Sequence, residues 1–341
     1  MIGDVLTSSV LFEVLKNHFP KDELHYLINS HTQAVVQGNR NIDKLVLFTS
    51  EMEQNKLRFF SFLKEIKKAK YDVVIDVYGK MSSKLISKAS GAKMRIAYEK
   101  QASSLFYTHQ IKRLKTPKYH ASLAIENRLR LLEPLGISFE PVAPRITLTK
   151  METDQAKAVL IGAGISSEEK LYMISVLGSD PSKTYPFEYM AQLLDEMIKL
   201  QPKAQVLFNY IPKQEKEAKA IYDATSEVTQ KQIYFEVFGN SLREFLALTK
   251  HCDAMIGNEG GAVNMAKALD IPTFIIFSPH LNKGNWFGET ENTKHMAVHL
   301  DEFIQHTKED RLFAKKDPRS YYLKFKPTFI APLLTDFLRA L

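Results

Sequence analysis

Apolar and polar positions alternate along the chain in a regular order, in which short apolar runs are separated by stretches of helical periodicity. The short runs predict strands at residues 24–28, 45–48, 71–77, 170–177, 204–208, 232–237, 253–257 and 273–277. Between and after them, apolar residues recur every three to four positions, which predicts helices at 5–18, 55–69, 151–161, 186–200, 241–249, 262–269 and 326–341. Such alternation is typical of parallel sheets built from βα units, so the predicted fold class is α/β.

A change of pattern near the middle of the chain separates two βα series. After Arg145, a short apolar triplet is followed by an alanine-rich helix and by Gly162-Ala-Gly164. We therefore expect an N-terminal domain at residues 1–160, a C-terminal domain at 161–325 and a terminal helix at 326–341 that packs back on the N-terminal domain. Both domains are predicted to be Rossmann-like and to face a common cleft.

The first residues lead directly into a helix. Ile2-Gly-Asp-Val-Leu6 has no strand in front of it. A doubly wound domain usually begins with the strand that becomes central in its sheet. We therefore expect that the first strand of the N-terminal domain is missing here and that the natural chain starts upstream.

Composition excludes several classes of protein. The 341 residues are 45% hydrophobic and 25% charged, which is typical of a globular protein. The single cysteine, Cys252, excludes a disulfide framework and a cysteine-based metal site. No apolar run approaches the roughly 20 residues that span a bilayer, and no signal-peptide pattern is present. The expected location is the cytoplasm, with peripheral contact to the inner face of the cytoplasmic membrane.

Charge is distributed unevenly between the two halves. Residues 1–150 contain 24 basic and 14 acidic residues, whereas residues 151–341 contain 22 basic and 25 acidic residues. A basic first half suits an anionic macromolecule or membrane surface. Lysines on solvated helix faces are the alternative interpretation, and charge alone does not separate the two.

The strongest candidate for chemistry is Asn258–Ala266, which joins a predicted strand to a predicted helix and contains Gly260 and Gly261. Glycines at such a turn allow a ligand to approach the backbone. The N-terminus of the following helix offers unpaired N–H groups and the positive end of the helix dipole, which together bind anions. A tight structural turn is the alternative interpretation.

Lys183 and Asp4 are two further candidates, and neither indicates a function when it is considered alone. Lys183 stands just before a helix-opening proline in Gly178–Pro186, where its ammonium group can reach a phosphate or remain exposed in a turn. Asp4 follows a glycine at a helix start, where its carboxylate can act as a general base or complement the helix dipole.

Two basic segments of the first half are candidates for contact with an acceptor or a membrane. Residues 56–70 mix aromatic and basic side chains, which predicts either a core-packed helix with a lysine face or a helix that touches an anionic membrane. Residues 106–120 are basic, aromatic and poorly periodic, which predicts an acceptor-binding loop. Its candidate residues are Lys112, Arg113, Lys115 and His120. No histidine or carboxylate spacing predicts a metal site.

The order of these motifs over residues 1–278 resembles the ADP-heptose:lipopolysaccharide heptosyltransferases, glycosyltransferase family 9. Ile2–Val10 is similar to the family's N-terminal motif, and 71–79 with 91–98 is similar to its third-strand block. Lys183-Thr-Tyr-Pro186 resembles Lys-x-Trp-Pro, and 259–266 resembles Asp-Thr-Gly-x-x-His-x-Ala. Three residues depart from the last pattern: Glu259, Gly260 and Asn264 replace its Asp, Thr and His.

The resemblance implies a GT-B fold in which the second domain holds a nucleotide-sugar. It implies that Asp4 is the general base, that Lys183 neutralises the departing diphosphate, and that the backbone of Gly260 and Gly261 binds it. Glu259 would contact the sugar. The remaining donor-binding candidates are Ser179, Asn264 and, for the ribose, Gln214 or Glu215.

The function that the resemblance implies is inverting transfer of heptose, or a related sugar, from an ADP-sugar to a lipopolysaccharide core. The expected partners are the nucleotide-sugar and an anionic, lipid-linked glycan acceptor, with no metal, cofactor or nucleic acid. One alternative is a GT-B transferase with another nucleotide-sugar and another surface-glycan acceptor. The other alternative is a degenerate, non-enzymatic nucleotide-binding protein.

Overall fold

The chain forms two α/β units in a computed structural model that describes residues 2–100, 104–288, 294–305 and 307–341. The first unit contains the described residues of 2–144 together with 284–288. The second contains residues 145–283 and the described residues of 294–341.

The strands of the first unit are all parallel to their neighbours and form two separate sheets. β1 (His25–Asn29) pairs with β2 (Lys44–Phe48). β3 (Val73–Asp76), β4 (Met94–Tyr98) and β5 (His109–Ile111) form the other sheet, with β4 in the middle.

The helices of the first unit pack on its strands and on one another. They are α1 (Ile2–Ser8), α2 (Val10–His18), α3 (Ser50–Gln54), α4 (Lys56–Lys68), α5 (Met81–Ala89) and α6 (Leu123–Leu129). One buried cluster combines Val10 and Phe12 with Leu129, and another combines Phe62 with Ile86. Asn55 sets the start of α4, because its side chain accepts hydrogen bonds from the first N–H groups of that helix.

The second unit is built on a five-stranded parallel sheet. In chain order its strands are β6 (Leu171–Ser175), β7 (Gln205–Phe208), β8 (Ala254–Asn258), β9 (Thr273–Ile276) and β10 (His295–Val298). In space the order is β10-β9-β8-β6-β7. The direction of winding therefore reverses between β6 and β8, which is where open parallel sheets bind ligands, at the carboxyl ends of the strands.

Nine helices of the second unit lie within its described residues. They are α7 (Lys150–Gly162), α8 (Phe187–Leu200), α9 (Glu215–Asp223), α10 (Glu227–Gln230), α11 (Leu242–Lys250), α12 (Gly261–Ala268), α13 (Lys308–Lys316), α14 (Pro318–Tyr322) and α15 (Pro327–Arg339). Residues of the strands and of α8 and α15 share one buried apolar cluster, which includes Tyr172, Phe274 and Phe337.

The division into units differs from the expected domain boundaries. It falls after Pro144 and not after residue 160, because α7 packs on α11 and an ion pair joins Glu152 to Arg243. The terminal helix α15 was expected to pack on the N-terminal domain. It belongs to the second unit and packs on α8.

Most of the predicted elements are present in the structure, but seven of its helices were not predicted: α3, α5, α6, α9, α10, α13 and α14. Other elements differ as well. The helix predicted at 5–18 is interrupted at Ser9, and the strand predicted at 232–237 is reduced to one bridge between Ile233 and Val206. The segment 106–120, predicted as a loop, contains β5. β4 and β10 were not predicted, and the expectation of an upstream first strand stays a prediction.

Candidate functional site

The loops that follow β6 and β8 are tied together by one buried side chain. Asn258, the last residue of β8, donates hydrogen bonds from its amide nitrogen to the carbonyl oxygens of Ser175 at 2.9 Å and Val176 at 2.8 Å. Its side-chain oxygen accepts a hydrogen bond from the N–H of Tyr185 at 2.7 Å. Since Tyr185 ends the loop after β6, Asn258 fixes that loop to the end of β8.

Two glycines allow the backbone segments at this point to approach one another. A Cβ at Gly257, where φ is +128°, would lie 2.4 Å from the carbonyl oxygen of Ser175. A Cβ at Gly178 would lie 2.4 Å from the carbonyl oxygen of Lys183. Thr184 closes the same loop by accepting a hydrogen bond from the N–H of Gly178 at 3.0 Å. The loop is therefore compact, and it brings Lys183 to the carboxyl edge of the sheet.

Lys183 and Glu259 form the charged pair of the site. The Lys183 Nζ atom lies 3.5 Å from Oε1 of Glu259, whose side chain is 6% exposed. That oxygen has no hydrogen-bond partner among the described residues. Burial raises the pKa of Glu259, and the Lys183 ammonium group opposes this shift. A buried carboxylate oxygen without a hydrogen-bond donor is suited to accept one from a ligand hydroxyl.

Helix α12 begins directly beside this pair. Its first residue is Gly261, and Gly260 in front of it provides no side-chain cap. A Cβ built on either glycine meets no atom of the described residues within 4 Å, so these residues do not require glycine for space at the two positions. The side chain of Asn264 donates a hydrogen bond to the carbonyl oxygen of Gly260 at 3.0 Å, which supports the turn. The uncapped N–H groups at this helix start can bind an anion.

The other donor-binding candidates lie on the neighbouring loops. Gln214 donates a hydrogen bond to the carbonyl oxygen of Gly178 at 3.4 Å, so it lies beside the loop that holds Lys183. Ser179 is exposed on that same loop. Glu215 is the exposed first residue of α9. The structure thus brings Gln214 into contact with the loop that contains Lys183. The side chains of Ser179, on that loop, and of Glu215, at the start of α9, are exposed to solvent.

Three polar residues near the site were not found from the sequence. Ser278 donates a hydrogen bond to the carbonyl oxygen of Ser182 at 2.7 Å, and its hydroxyl oxygen lies 2.8 Å from Nδ1 of His280. The buried hydroxyl group of Tyr322 has no hydrogen-bond partner among the described residues. Burial, followed by the neighbouring Tyr185 and Glu259, holds the pKa of Tyr322 far above its usual value. No motif surrounds Ser278 or Tyr322, so local sequence gave no signal for them.

Asp4 belongs to the first unit, where a buried arginine holds it. Arg128 of α6 donates a hydrogen bond to Oδ1 of Asp4 at 2.9 Å. The same guanidinium group donates to Oγ of Ser8 and to the carbonyl oxygen of Ala124, both at 2.8 Å. The carboxylate of Asp4 is therefore held in position by a cation that is itself fixed on two sides.

Helix α6 also anchors the basic segment of the first unit. Glu126 is fully buried, and its carboxylate accepts hydrogen bonds from the N–H groups of Lys118, Tyr119 and Ala121. The side chains of the four candidate residues, by contrast, are exposed: Lys112, Arg113, Lys115 and His120. The guanidinium group of Arg113 lies 3.8 Å from the centre of the Tyr98 ring. The backbone of this segment is thus fixed by Glu126, while its four candidate basic side chains are exposed to solvent.

These features define a class of protein. The parallel α/β units of this chain have the GT-B fold, which they share with solved heptosyltransferases. The model of glycosyltransferase family 9 (heptosyltransferase) matches residues 59–314. The chain therefore belongs to glycosyltransferase family 9, and it is a glycosyltransferase.

Individual relatives agree with this assignment. Lipopolysaccharide heptosyltransferase 1 from Campylobacter coli is 24% identical over 289 residues, which cover 81% of either chain. The crystal structure of a family 9 glycosyltransferase from Veillonella parvula is similar over 100% of this chain and 95% of that one, with a TM-score of 0.81 and 17% identity. The E. coli heptosyltransferase WaaC with ADP gives a TM-score of 0.69 at 13% identity, over 99% of this chain and 97% of its own. At such identities the solved structures support the fold alone.

Proposed function

We propose that this glycosyltransferase moves heptose, or a related sugar, from an ADP-sugar to a lipopolysaccharide core acceptor, with inversion at the anomeric carbon. Family membership and the name of the Campylobacter relative support the sugar and the acceptor. The observation that carries the proposal is the Lys183–Glu259 pair beside the uncapped start of α12.

In this proposal, the diphosphate of the donor binds at the N-terminus of α12. The N–H groups near Gly260 and Gly261 point along the helix axis towards the anion, and Lys183 supplies the compensating positive charge. Glu259 Oε1 accepts a hydrogen bond from a sugar hydroxyl, which would satisfy the buried oxygen. Gln214, on the neighbouring loop, binds the ribose.

The reaction needs a base for the acceptor and stabilisation for the leaving group. Asp4 takes the proton from the acceptor hydroxyl, whose oxygen forms a bond to the anomeric carbon from the face opposite the diphosphate. The bond between that carbon and the diphosphate breaks, and ADP leaves with the electron pair. Lys183 and the backbone of Gly260 and Gly261 stabilise the departing charge, so the proposed mechanism uses no metal.

The acceptor is proposed to be an anionic glycan linked to lipid. The exposed Lys112, Arg113, Lys115 and His120 supply positive charge in the first unit. We also propose that the protein works in the cytoplasm, in peripheral contact with the inner face of the cytoplasmic membrane. Within the described part of the chain, no helix combines the length and apolar character needed to cross a bilayer.

The test is calorimetric titration with ADP, UDP, GDP and CMP, followed by transfer assays with the sugar conjugate of the nucleotide that binds. We expect ADP to bind selectively, and Lys183→Gln to weaken that binding at least tenfold because a charge on the diphosphate loses its partner. Lys157→Gln, an exposed lysine of α7, is the control and leaves the affinity unchanged. Preference for another nucleotide assigns a different donor, and failure of all four to bind contradicts the proposal.

A further inference from the structure

Helix α4 has two apolar sides, of which the core uses only one. Phe62 and Ile66 point inward and are buried in the cluster that also contains Ile86. On the opposite side, Leu57 is 81% exposed and Phe60 is 60% exposed. Because Phe62 and Ile66 already anchor the helix, the fold itself does not need these two large side chains.

The exposed side of α4 is also basic. Lys56, Lys64, Lys67 and Lys68 are exposed, and none forms an ion pair with another described residue. Lys64 and Lys68 are four residues apart and lie on the same face as Leu57. We call Leu57, Phe60 and these four lysines the outer face of α4. It combines two bulky apolar side chains with four lysines that form no ion pair with another described residue.

The neighbouring helix α5 repeats this combination. It packs against α4, and Met81 and Leu85 on it are exposed at 63% and 38%. Lys88, one turn further along, is exposed as well. Exposed apolar residues beside lysines on two adjacent helices are more than the scattered single exposures found on most surfaces.

We propose that the outer face of α4 docks this chain on an anionic phospholipid bilayer. Leu57 and Phe60 enter the boundary between headgroups and acyl chains, and the lysines bind lipid phosphates. The inference deepens the peripheral contact proposed above, and it rests on that proposed function because a lipid-linked acceptor lies in such a bilayer. A second copy of this chain fits the face less well, since a two-fold contact would bring lysines against lysines.

Partitioning into vesicles tests the proposal. The probes are vesicles of equal parts phosphatidylglycerol and phosphatidylcholine, and vesicles of phosphatidylcholine alone, without any glycan acceptor. We expect the protein to bind the first kind. Lys64→Gln with Lys68→Gln should lower binding about 25-fold at low salt, because each lysine near an anionic surface contributes about fivefold. This loss should shrink at high salt, where the charges are screened.

Substitution of Leu57 and Phe60 should give a different dependence of vesicle binding on salt. Leu57→Gln with Phe60→Gln should lower binding at least tenfold at low and at high salt, because insertion of apolar groups is not screened. The matched controls lie on exposed positions of the second unit: Met151→Gln with Ile161→Gln, and Lys157→Gln with Lys231→Gln. Both controls should bind as the natural protein does.

The outcomes separate the docking surface from the proposed reaction. The proposal is overturned if the α4 variants bind anionic vesicles as well as the natural protein does, or if the controls lose as much. It is also overturned if sedimentation shows a dimer that Leu57→Gln with Phe60→Gln abolishes, which would assign the face to a second copy. Transfer to a soluble, lipid-free core fragment is measured alongside. Normal transfer without vesicle binding rejects the surface and keeps the proposed function, and the α4 variants should retain this transfer.

Discussion

Arg128 binds the carboxylate of Asp4 at 2.9 Å, although the two residues are 124 positions apart in the chain. The arginine side chain is 9% exposed, and two further hydrogen bonds fix it to Ser8 and to the backbone of Ala124. A carboxylate held in this way has a defined orientation before any acceptor arrives, which suits a general base.

Replacing Asp4 by Asn tests that role. The Asn side chain is isosteric and still accepts a hydrogen bond from Arg128, so we expect the fold to persist. Turnover should fall at least 100-fold, because general-base catalysis contributes about 10²–10⁴-fold, while ADP affinity stays nearly unchanged. Steady-state transfer rates and calorimetry measure the two effects separately. An equal loss of ADP binding and rate would reject Asp4 as the base, and Asp22→Asn, an exposed acid of the same unit, is the control.

Replacing Gly261 by Ala tests the start of α12 as the diphosphate site. Within the part of the chain that the structure describes, the new Cβ meets no atom within 4 Å, so stability should stay the same or rise by about 0.5 kcal/mol through reduced freedom of the unfolded chain. ADP affinity should fall at least tenfold, since the methyl group occupies space next to the bound anion. Gly162→Ala, at the end of α7 and equally unobstructed, should change stability alike and leave ADP binding intact. Undiminished ADP binding by Gly261→Ala would place the diphosphate elsewhere.

Two tyrosines of the second unit should respond oppositely to loss of their hydroxyl groups. The Tyr322 hydroxyl is buried and forms no hydrogen bond with any residue that the structure describes, so Tyr322→Phe should raise the free energy of unfolding by about 1 kcal/mol. The Tyr185 hydroxyl donates to the carbonyl oxygen of Phe325 at 2.7 Å, so Tyr185→Phe should lower it by about 1 kcal/mol. Thermal unfolding of the ligand-free protein, followed by circular dichroism, compares them. Destabilisation by both substitutions would show that Tyr322 has a partner in solution.

The Glu152–Arg243 pair should make the stability of the second unit depend on pH. Hydrogen bonds from Arg243 lower the pKa of Glu152 to about 2, from an ordinary value of 4.5. Because the folded protein binds this proton more weakly than the unfolded chain, the stabilisation is complete above about pH 4.5 and is lost as the pH falls towards 2. We expect a contribution of about 1–2 kcal/mol, reduced from the full shift by solvent screening.

Urea unfolding between about pH 3 and pH 5 measures this contribution. Glu152→Gln should unfold at a lower urea concentration at pH 5 and show a shallower pH dependence than the natural protein. Asp154→Asn, an exposed acid on the same helix, should leave the slope unchanged. Equal slopes for Glu152→Gln and the natural protein would contradict the assigned pKa.

The strands of the five-stranded sheet in the second unit were predictable because buried parallel strands are continuous apolar runs. Four of the five were predicted from the sequence. The prediction of a strand at 232–237 was wrong because of side-chain packing with residues distant in sequence. Its alternating apolar residues suit a strand, but Phe235 packs in an aromatic cluster with Tyr210 and Tyr222 instead. β5 has only three residues, which is too short for a periodic pattern to appear.

Lys183, Glu259, Gly260 and Gly261 were selected from the sequence because of their combined pattern, and their roles in binding stay predictions. All four lie where a strand of the parallel sheet is followed by a helix, and that position can be recognised from the sequence pattern. Arg128 and Tyr322 lie in helices, and their roles depend on contacts with residues distant in sequence. Nothing in the neighbouring residues marks them, so they emerge only once the chain is folded.

The double anchoring by Asn258 has a consequence for the kinetics of ligand capture. The side chain joins two loops through three hydrogen bonds made entirely within the protein, without help from a ligand. The nucleotide proposed to bind at this turn would meet a backbone held by these hydrogen bonds, so the conformational entropy lost on binding would be confined largely to the ligand and a few side chains. Under that proposal, association would be limited by diffusion and desolvation and not by the folding of a loop.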